Sequence, residues 1–458
     1  MFPHEDQLTL EERLDSFDPD VRRRSLETLA ARVNSGDIRL PNPKPEVNLH
    51  YHTFFSFNAN NWSPSRIAWE ALKYGLEVAG IVDFDVLDGM EEFLSAGELL
   101  GLKTVVGMES RVFIRELADK VMSSPDEPGI AYFMAAGCYR YPPEASHAEA
   151  IFRRMAETAR TRNISLMERV NAYLAPVQLD YEEDVLTLTP AGNATERHLL
   201  TAYDRKARTI FQGDETKIKE FWAKKLGIPE NEIGLVLPDT PRFHETMRSK
   251  LMKFGGVGYV PPDSGSFPTI EEAVDMIRAM GALPMIAWLD GTNPGEEDTV
   301  AFLELLRSKG VVAINIIPER NWNIKDSDEK ALKIRKLTEV VEAGRRFHMP
   351  ISVGTEMNKA GLPFVDDFTA TDLRPYIDDF LHGARCIYGH TVLARYANLG
   401  YLSEWSSAIF GSDAAQRNAF YSEVGKYPPS PEIRQNLLEM QGEATPETII
   451  NILSTTIA

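Results

Sequence analysis

The chain has 458 residues, of which 43% are hydrophobic, a composition typical of a globular protein with one large core and smaller appended modules. Its formal net charge of -19 at pH 7 disfavours a nucleic-acid partner, because phosphate contacts need a basic surface. No apolar run predicts a membrane span, the N-terminus does not resemble a signal peptide, and two widely separated cysteines make no disulfide framework, so we expect a cytoplasmic protein.

The first predicted element is an N-terminal helical arm with its linker, residues 1–46. Leucine and valine recur at roughly helical spacing over 7–35, and Gly36 ends the predicted helix. The proline-rich stretch LPNPKPEV follows as a stiff connector. The sequence therefore predicts a packed arm that leads directly into the next unit.

A β-α-β-α-β pattern over 47–114 predicts the first part of a barrel. The strands VNLHYHT, VAGIVDFD and KTVVGMES alternate with two amphipathic helices. The first helix begins at Ser63 and Pro64, an N-cap followed by proline, and ends at Gly75. In a parallel barrel the carboxyl ends of the strands form the active face, so side chains at these ends are the candidates for function.

Polar side chains stand at three of these strand ends. A strand places residues i and i+2 on one face, so His50 and His52 point the same way and make a potential metal clamp. The alternative is a half-buried strand with its histidines on the polar side. Asp83 and Asp85 end the second strand, and Glu109 ends the third. Histidine and carboxylate side chains gathered in this way predict a metal site.

Three further regions complete the predicted domain organisation. Residues 115–268 contain one apolar strand, GIAYFMAAGCY, and are otherwise mostly helical, which predicts an insertion over the barrel mouth. Residues 269–370 return to the barrel pattern, beginning with a capping box formed by Thr269 and Glu272. Residues 371–458 are predicted to be a helical C-terminal extension, either a cap or an oligomerisation surface, so a homo-oligomer is possible.

The strand motifs resemble the signature of the PHP (polymerase and histidinol phosphatase) superfamily, which is His-x-His, then Thr-Asp-His-Asp, then Gly-x-Glu. This chain has NLHYHT, VDFDVLDG and VVGMES in the same order. Members of the superfamily fold as a distorted seven-stranded β/α barrel and hold up to three divalent metals for phosphoester hydrolysis. The resemblance implies that His50 and His52 bind metal and that Glu109 bridges metals. With the helical regions, the expected fold class is α/β, a distorted (β/α)7 TIM-like barrel with a large helical insertion and a helical C-terminal extension.

The chain departs from the family pattern where ligands are expected. A family histidine in the strand before the insertion has no counterpart in GIAYFMAAG. Other side chains replace expected imidazole or carboxylate ligands at Phe57, Phe84, Trp288 and Asn358. A full trinuclear site is therefore not expected, and phenyl and indole rings would make part of the cavity apolar.

The surviving residues define a reduced metal site. The ligands implied by the resemblance are His50, His52, Asp83, Glu109 and Glu356, which suit one or two divalent ions, zinc, manganese or iron. Glu356 comes from GTEMN, after the strand PISV. The rival motif GSDAA lacks a continuous apolar strand before it, so Asp413 is interpreted as an N-terminal helix residue.

Catalytic and substrate-binding residues complete the predicted site. TERHL resembles the Thr-Arg-Pro-His-Leu motif of phosphoesterases that act on nucleotides, which implies His198 as a general acid or phosphate contact and Arg197 as a clamp. A helix-surface cluster is the alternative. Asp85 is the second predicted catalytic residue. Arg320 follows a strand where a cation could meet an anionic substrate, and a surface arginine without a role is the alternative.

Two classes of function are compatible with the sequence. The first is a metal-dependent hydrolase of the PHP type, a phosphoesterase acting on a small phosphorylated or otherwise anionic molecule. The second is a catalytically inactive PHP-like barrel that serves as a binding or scaffold protein, with Phe84 and Trp288 filling the space of lost metals. A metal-dependent hydrolase of amides or lactones is a third possibility, because the lost ligands remove a multi-metal phosphate clamp.

Overall fold

A computed structural model describes residues 5–262, 265–440 and 444–455 of the chain. Seven strands hydrogen-bond in chain order into one sheet. The strands are Val47–Tyr51 (β1), Val78–Phe84 (β2), Lys103–Phe113 (β3), Ile130–Ala136 (β4), Leu283–Trp288 (β5), Ala313–Ile316 (β6) and Ile351–Val353 (β7). A parallel bridge between Tyr51 and Glu356 nearly closes the sheet into a ring. The structure thus confirms the predicted α/β fold class, a distorted TIM-like barrel.

The fourth strand differs from the sequence prediction. The sequence pattern places GIAYFMAAGCY inside the mostly helical region 115–268, whereas β4 lies in the sheet between β3 and β5 and pairs antiparallel with both. The other strand pairs are parallel. Prolines flank this strand in the sequence and no helix leads into it, so the βα alternation typical of a parallel barrel is absent there. The barrel therefore continues beyond residue 114.

The N-terminal arm contains two helices where one was predicted, Gln7–Arg13 (α1) and Pro19–Asn34 (α2). The second helix begins after Asp18, the N-cap of α2, with Pro19 in its first turn. The arm is bound to the barrel helices Pro64–Tyr74 (α3) and Met90–Leu100 (α4). Arg22 of α2 pairs with Glu92 at 2.6 Å. The arm is therefore packed against the first half of the barrel.

The ends of α3 follow the sequence prediction. The Ser63 side chain accepts a hydrogen bond from the Arg66 N–H, and Pro64 occupies the first turn. Gly75 ends the helix with φ of 87°, a left-handed conformation that favours glycine. These two caps fix the length of the first crossover, and with it the position at which β2 enters the sheet.

The insertion has a hydrophobic core of its own. Its helices are His147–Leu174 (α5), Glu196–Ile210 (α6), Glu215–Leu226 (α7), Glu230–Val236 (α8) and Thr240–Leu251 (α9). Trp222, Phe243 and Tyr203 are fully buried in this second core. Helix α5 belongs to both cores, because Ile151 lies in the barrel core and Val170 in the insertion core. One continuous helix thus connects the two packed units.

The rest of the chain completes the barrel and covers it. The remaining helices are Ile270–Ala279 (α10), Thr299–Ser308 (α11), Glu319–Trp322 (α12), Ser327–Phe347 (α13), Ile377–Ala397 (α14), Glu404–Phe410 (α15), Ala414–Val424 (α16), Pro431–Glu439 (α17) and Pro446–Thr455 (α18). The predicted capping box of Thr269 and Glu272 is present at α10. Asp413 accepts a hydrogen bond from the Gln416 N–H as the N-cap of α16, as predicted.

The C-terminal extension packs directly on the barrel. Helix α14 approaches β7 so closely that a Cβ at Gly383 would lie 2.0 Å from the Ile351 carbonyl oxygen. Among the described residues, no helix is long and apolar enough to cross a membrane. The outermost residues of the predicted arm and extension, 1–4 and 456–458, lie outside the described part of the chain.

Candidate metal centre

Three of the predicted ligands meet inside the barrel mouth. His50 lies on β1, His52 lies directly after it, and Glu109 lies on β3. Nε2 of each histidine is 3.4 Å from Oε2 of Glu109. Each residue offers a ligand atom within 4.8 Å of the others. The exposed fractions are 1% for His50, 0% for His52 and 4% for Glu109. We refer to these residues as the triad.

The other ring nitrogen of each histidine is already engaged. Nδ1 of His50 lies 3.0 Å from Oδ1 of Asn315, which can only accept, so His50 carries its proton on Nδ1. The hydroxyl of Ser56 donates to the Asp83 carboxylate at 2.6 Å. The Ser56 oxygen, 3.3 Å from Nδ1 of His52, is then left to accept a hydrogen bond from the Nδ1–H of that ring. In the neutral imidazoles both Nε2 lone pairs therefore face Glu109.

The triad requires a positive charge between its members. Both Nε2 atoms are buried without a hydrogen-bond partner, and two lone pairs facing a carboxylate repel it. Protonated imidazoles would instead donate from Nε2–H to Glu109: burial raises the pKa of Glu109, but those hydrogen bonds and charges outweigh burial and lower it to about 2. Burial lowers the pKa of His50, yet Glu109, Glu356 and Asn315 raise it overall. Two imidazole nitrogens and a carboxylate oxygen are the donor set of a zinc, manganese or iron ion, so the residues fit a divalent metal.

Glycines let the strands that carry the triad approach closely. A Cβ at Gly107 would lie 2.7 Å from the Ala135 carbonyl oxygen, so this position admits only glycine without a backbone shift. A Cβ at Gly354 would lie 2.3 Å from Cβ of His50. The end of β7 can therefore reach β1, where the His52 N–H donates to the Glu356 carbonyl oxygen at 2.8 Å.

Two other predicted ligands, Asp83 and Glu356, lie outside the triad, and their assignment as metal ligands stays a prediction. The Asp83 carboxylate accepts from the Thr53 N–H at 2.8 Å and from the Thr53 hydroxyl at 2.7 Å, besides Ser56. Oε1 of Glu356 accepts from Arg320 at 2.8 Å, and its Oε2 accepts from Asn358 at 3.2 Å. Both carboxylates are thus held by protein donors. The site described by the structure is a group of three.

The two residues predicted to be catalytic lie at the barrel mouth and on the insertion. Asp85 has a left-handed backbone with φ of 61°, and its side chain accepts a hydrogen bond from the Ser110 hydroxyl. Burial raises the pKa of Asp85 to about 6. His198 is the third residue of α6, where Nδ1 accepts from the Thr195 N–H at 3.0 Å, and burial lowers its pKa to about 4. His198 is therefore neutral at pH 7 and carries its proton on Nε2.

The predicted substrate cations are both paired within the protein. Nη1 of Arg197 lies 2.5 Å from Oε1 of Glu245, and Arg320 pairs with Glu356. The side chain of Arg320 is 37% exposed and that of Arg197 is 16% exposed. Either residue would have to exchange a carboxylate partner for a substrate anion, so their assignment as substrate-binding residues stays a prediction.

One of the aromatic replacements, Phe84, lies against the triad, and another, Phe57, lies beside His198. Phe84 stacks on the ring of His52, with centroids 4.3 Å apart. Phe57 meets the ring of His198 edge-on at 5.2 Å. Trp288 is 1% exposed. Sequence reasoning missed Asn315 and Ser56 as the groups that orient the imidazoles, because nothing in the sequence marks an amide on β6 as a neighbour of β1.

Comparison with known proteins gives distant structural likenesses. No family model and no curated protein matches the chain. One similar structure is an amidohydrolase from Chromobacterium violaceum with bound sulfate and no metal, which is 15% identical in sequence and has a TM-score of 0.45. The match covers 73% of this chain and 96% of the amidohydrolase chain. A candidate metal-dependent phosphoesterase from Bifidobacterium adolescentis is 16% identical with a TM-score of 0.46, over 74% and 98%. Both likenesses are too distant to assign an activity.

Proposed function

We propose that this protein is a metal-dependent hydrolase of the PHP type, a phosphoesterase acting on a small phosphorylated molecule through a reduced metal site. The observation that carries the proposal is the pair of buried imidazoles whose unpartnered Nε2 atoms both face Glu109 at 3.4 Å. A buried carboxylate facing two imidazole nitrogens is stabilised by a positive charge between them, supplied either by a metal ion or by a proton on an imidazole. The strand motifs that resemble the superfamily support the phosphoester as substrate.

The chain's own residues hold the metal and arrange its surroundings. His50, His52 and Glu109 bind the ion, and Asn315 and Ser56 fix the ring orientations. A divalent ion, when bound, polarises a scissile group and lowers the pKa of coordinated water. Asp85, one backbone hydrogen bond away from Glu109 at 2.9 Å, is proposed to transfer the proton, and the Nε2–H of His198 is proposed to face the leaving group.

A second function, a binding or scaffold protein without catalysis, is favoured by one observation. The triad is closed from solvent, since its most exposed member, Glu109, is 4% exposed. A cavity of about 330 Å³ lies elsewhere, between α4, α14 and α17. In this reading the stacked Phe84 seals the triad, and a proton takes the place of the metal between the imidazoles and the carboxylate.

Elemental analysis of the full chain tests the proposal. Protein purified without chelator, or reconstituted with zinc, manganese or iron(II), should hold about one ion per chain. It should hydrolyse a member of a panel of phosphomonoesters and phosphodiesters only in that state. The His52→Asn variant should lose the ion, because the shorter side chain keeps an atom near the Nδ1 position but none at Nε2.

The matched control is His390→Asn. His390 is 0% exposed, and its Nδ1 accepts from the Tyr401 N–H at 3.0 Å, so the same substitution removes a buried imidazole away from the triad. This variant should keep its metal. No metal after reconstitution overturns the hydrolase and favours the binding protein. Bound metal without turnover on the phosphoester panel overturns the substrate class alone.

A further inference from the structure

A cluster of basic side chains lies between the barrel mouth and the insertion, in a protein whose net charge is -19. We call Arg111 on β3, Arg162 on α5, Arg248 on α9 and Lys253 after α9 the basic cleft. Their side chains are 27%, 29%, 27% and 45% exposed. Each thus reaches solvent while most of its length is buried.

The Arg162 guanidinium makes no hydrogen bond with any residue that the structure describes. Its approach to a carboxylate is an ion pair with Glu127 at 3.6 Å, beyond hydrogen-bond distance, and its Nη1 is buried with no partner. Glu127 is instead engaged by Arg111 at 3.1 Å and by the Ser124 hydroxyl at 2.6 Å. A guanidinium carries five N–H donors, and leaving them buried and unpaired is costly. Arg162 is therefore a donor that lacks its acceptor.

The position of Arg162 is held by stacking. The ring of Phe267 lies 4.4 Å from the guanidinium carbon of Arg111 and 4.6 Å from that of Arg162. Each guanidinium is attracted to the aromatic ring, so Phe267 holds two like charges close to each other. The hydroxyl of Tyr259 is a second buried donor without a partner among the described residues. Burial and the charges of Glu127 and Asp126 raise its pKa, and the charges of Arg162 and Arg111 act in the opposite direction.

The other side of the cleft has the same composition. Glu196, the first residue of α6, accepts from Arg248 at 3.1 Å and pairs with Lys253 at 2.9 Å. Burial raises the pKa of Glu196, but Lys253, Arg248 and Arg111 lower it to about 2, so it stays ionised. One carboxylate is thus shared between two cations. Arg248 also lies 4.0 Å from Glu245, which Arg197 holds.

The cleft adjoins the triad along β3. Arg111 is two residues beyond Glu109 on β3, so both side chains point to the same face of the sheet. Tyr132 lies opposite Arg111 on β4, its ring 6.4 Å from Phe84, which stacks on His52. A molecule in the cleft would therefore extend toward the candidate metal centre.

We propose that the basic cleft is an anion-binding site for a compact oxyanion, a phosphate or carboxylate group, with the unpartnered donors of Arg162 and Tyr259 as its principal contacts. A guanidinium matches such oxygens with two parallel N–H donors. The inference names the charge class of the ligand and rests on the proposed function only for its link to turnover. Anion binding itself does not need the triad to hold a metal.

Calorimetric titration of the chelator-treated full chain tests the site. Inorganic phosphate and succinate are titrated separately at low salt. Binding of either should weaken at least tenfold in Arg162→Gln, as expected for the loss of a charge-assisted pair. Phosphate binding alone identifies a phosphate site, succinate binding alone identifies a carboxylate site, and binding of neither overturns the proposal.

The control variant is Arg160→Gln. Arg160 lies on the same helix, 39% exposed, and pairs with Glu182 at 2.6 Å away from the cleft. This variant should bind within twofold of the unmodified protein, and equal losses in both variants would mean diffuse electrostatics and overturn the site. Tyr259→Phe removes only an unpartnered hydroxyl, so its melting temperature should not fall while phosphate or succinate binding weakens severalfold. Unchanged binding in both Arg162→Gln and Tyr259→Phe also overturns the assignment.

The failure of the metal proposal is distinguishable from the failure of the anion site. Glu109→Gln should lose metal and keep anion binding, because the cleft uses none of the triad's atoms. A protein that binds no metal but binds phosphate or succinate through Arg162 leaves the cleft established and the proposed hydrolase rejected.

Discussion

Two buried carboxylates, one on β3 and one in the loop after β5, have opposite properties. Glu109 on β3 is 4% exposed, and Glu296 in the loop after β5 is 0% exposed. Burial raises both pKa values, but the two imidazoles lower that of Glu109 to about 2, whereas that of Glu296 is raised to about 7. Among the described residues, Glu296 accepts from backbone N–H groups, including those of Leu289 at 3.1 Å and Gly291 at 3.3 Å.

The difference distinguishes Glu109, whose surroundings stabilise a negative charge, from Glu296, whose surroundings do not. Glu109 faces two imidazoles that can hold a positive charge next to it, so the carboxylate stays ionised in the interior. Around Glu296, burial and the like charge of Asp290 outweigh the backbone N–H donors and raise the pKa to about 7, and the hydrogen-bonded side chain holds the loop after β5. Burial alone therefore does not mark a functional carboxylate. The partners of its oxygens do.

The strongest test of this comparison exchanges each carboxylate for an amide. Glu109→Gln should weaken metal binding by at least 100-fold, because loss of a ligand should exceed the roughly 10–100-fold typical of an outer partner. Glu296→Gln should bind metal within about threefold of the unmodified protein. Competition with a fluorescent chelator measures both constants. Equal losses of metal affinity in the two variants would remove the distinction between the two carboxylates.

The second test follows stability with pH. The folded-state pKa of Glu296 is raised from 4.5 to about 7, so the folded state holds this proton more tightly than the unfolded state. Its contribution, about 3 kcal/mol, is fully present below pH 4.5 and is lost as the pH rises through 7. The difference in the free energy of unfolding between the unmodified protein and Glu296→Gln should fall over this window in denaturant titrations. A difference that is constant with pH would show that Glu296 is ionised when folded.

The third test concerns the group that orients His50 from the opposite half of the barrel. Asn315→Leu removes the acceptor 3.0 Å from Nδ1 and should weaken metal binding by roughly 10–100-fold. Asn418→Leu is the control, since Asn418 is a buried amide that bonds to Tyr401 and His348 away from the triad. Calorimetry with zinc or manganese distinguishes them. Tight binding in Asn315→Leu would mean that the rings hold their orientation without this partner.

The smallest effect, a change in stability, is expected where the end of β7 meets β1 and nearly closes the barrel. Gly354→Ala places a methyl group 2.3 Å from Cβ of His50 and should lower the free energy of unfolding by about 1–3 kcal/mol. Gly234→Ala on α8 meets its nearest atom at 3.6 Å and should stabilise the protein by up to about 1 kcal/mol. Thermal unfolding compares the two, and a Gly354→Ala protein as stable as the unmodified chain would contradict the close approach.

The sequence predicted the fold where local patterns and barrel topology agree. Ser63, Gly75 and Thr269 mark helix ends that the structure places as expected, since caps depend on neighbouring residues alone. It misplaced β4 because an antiparallel strand without a leading helix has no βα signature. The two helices of the arm were merged because Asp18 and Pro19 restart a helix inside a continuous periodic pattern.

The site was predictable in part for the same reason. His50, His52 and Glu109 are brought together by strand order, which a motif can reveal. The partners of a carboxylate come from distant residues, so the sequence could not show that Ser56 engages Asp83 or that Arg320 engages Glu356. The basic cleft escaped notice because its cations come from separate elements and no two are adjacent in the chain.

Helix α5 gives the cleft a mechanical property. Its 28 residues span about 42 Å, with one end fixed in the barrel core and the other in the insertion core. Arg162 lies between these anchors, facing Arg111 across Phe267. Any sliding of one core past the other must alter the spacing of these two guanidiniums. An anion bound between the two guanidiniums would therefore oppose movement of the insertion core relative to the barrel core.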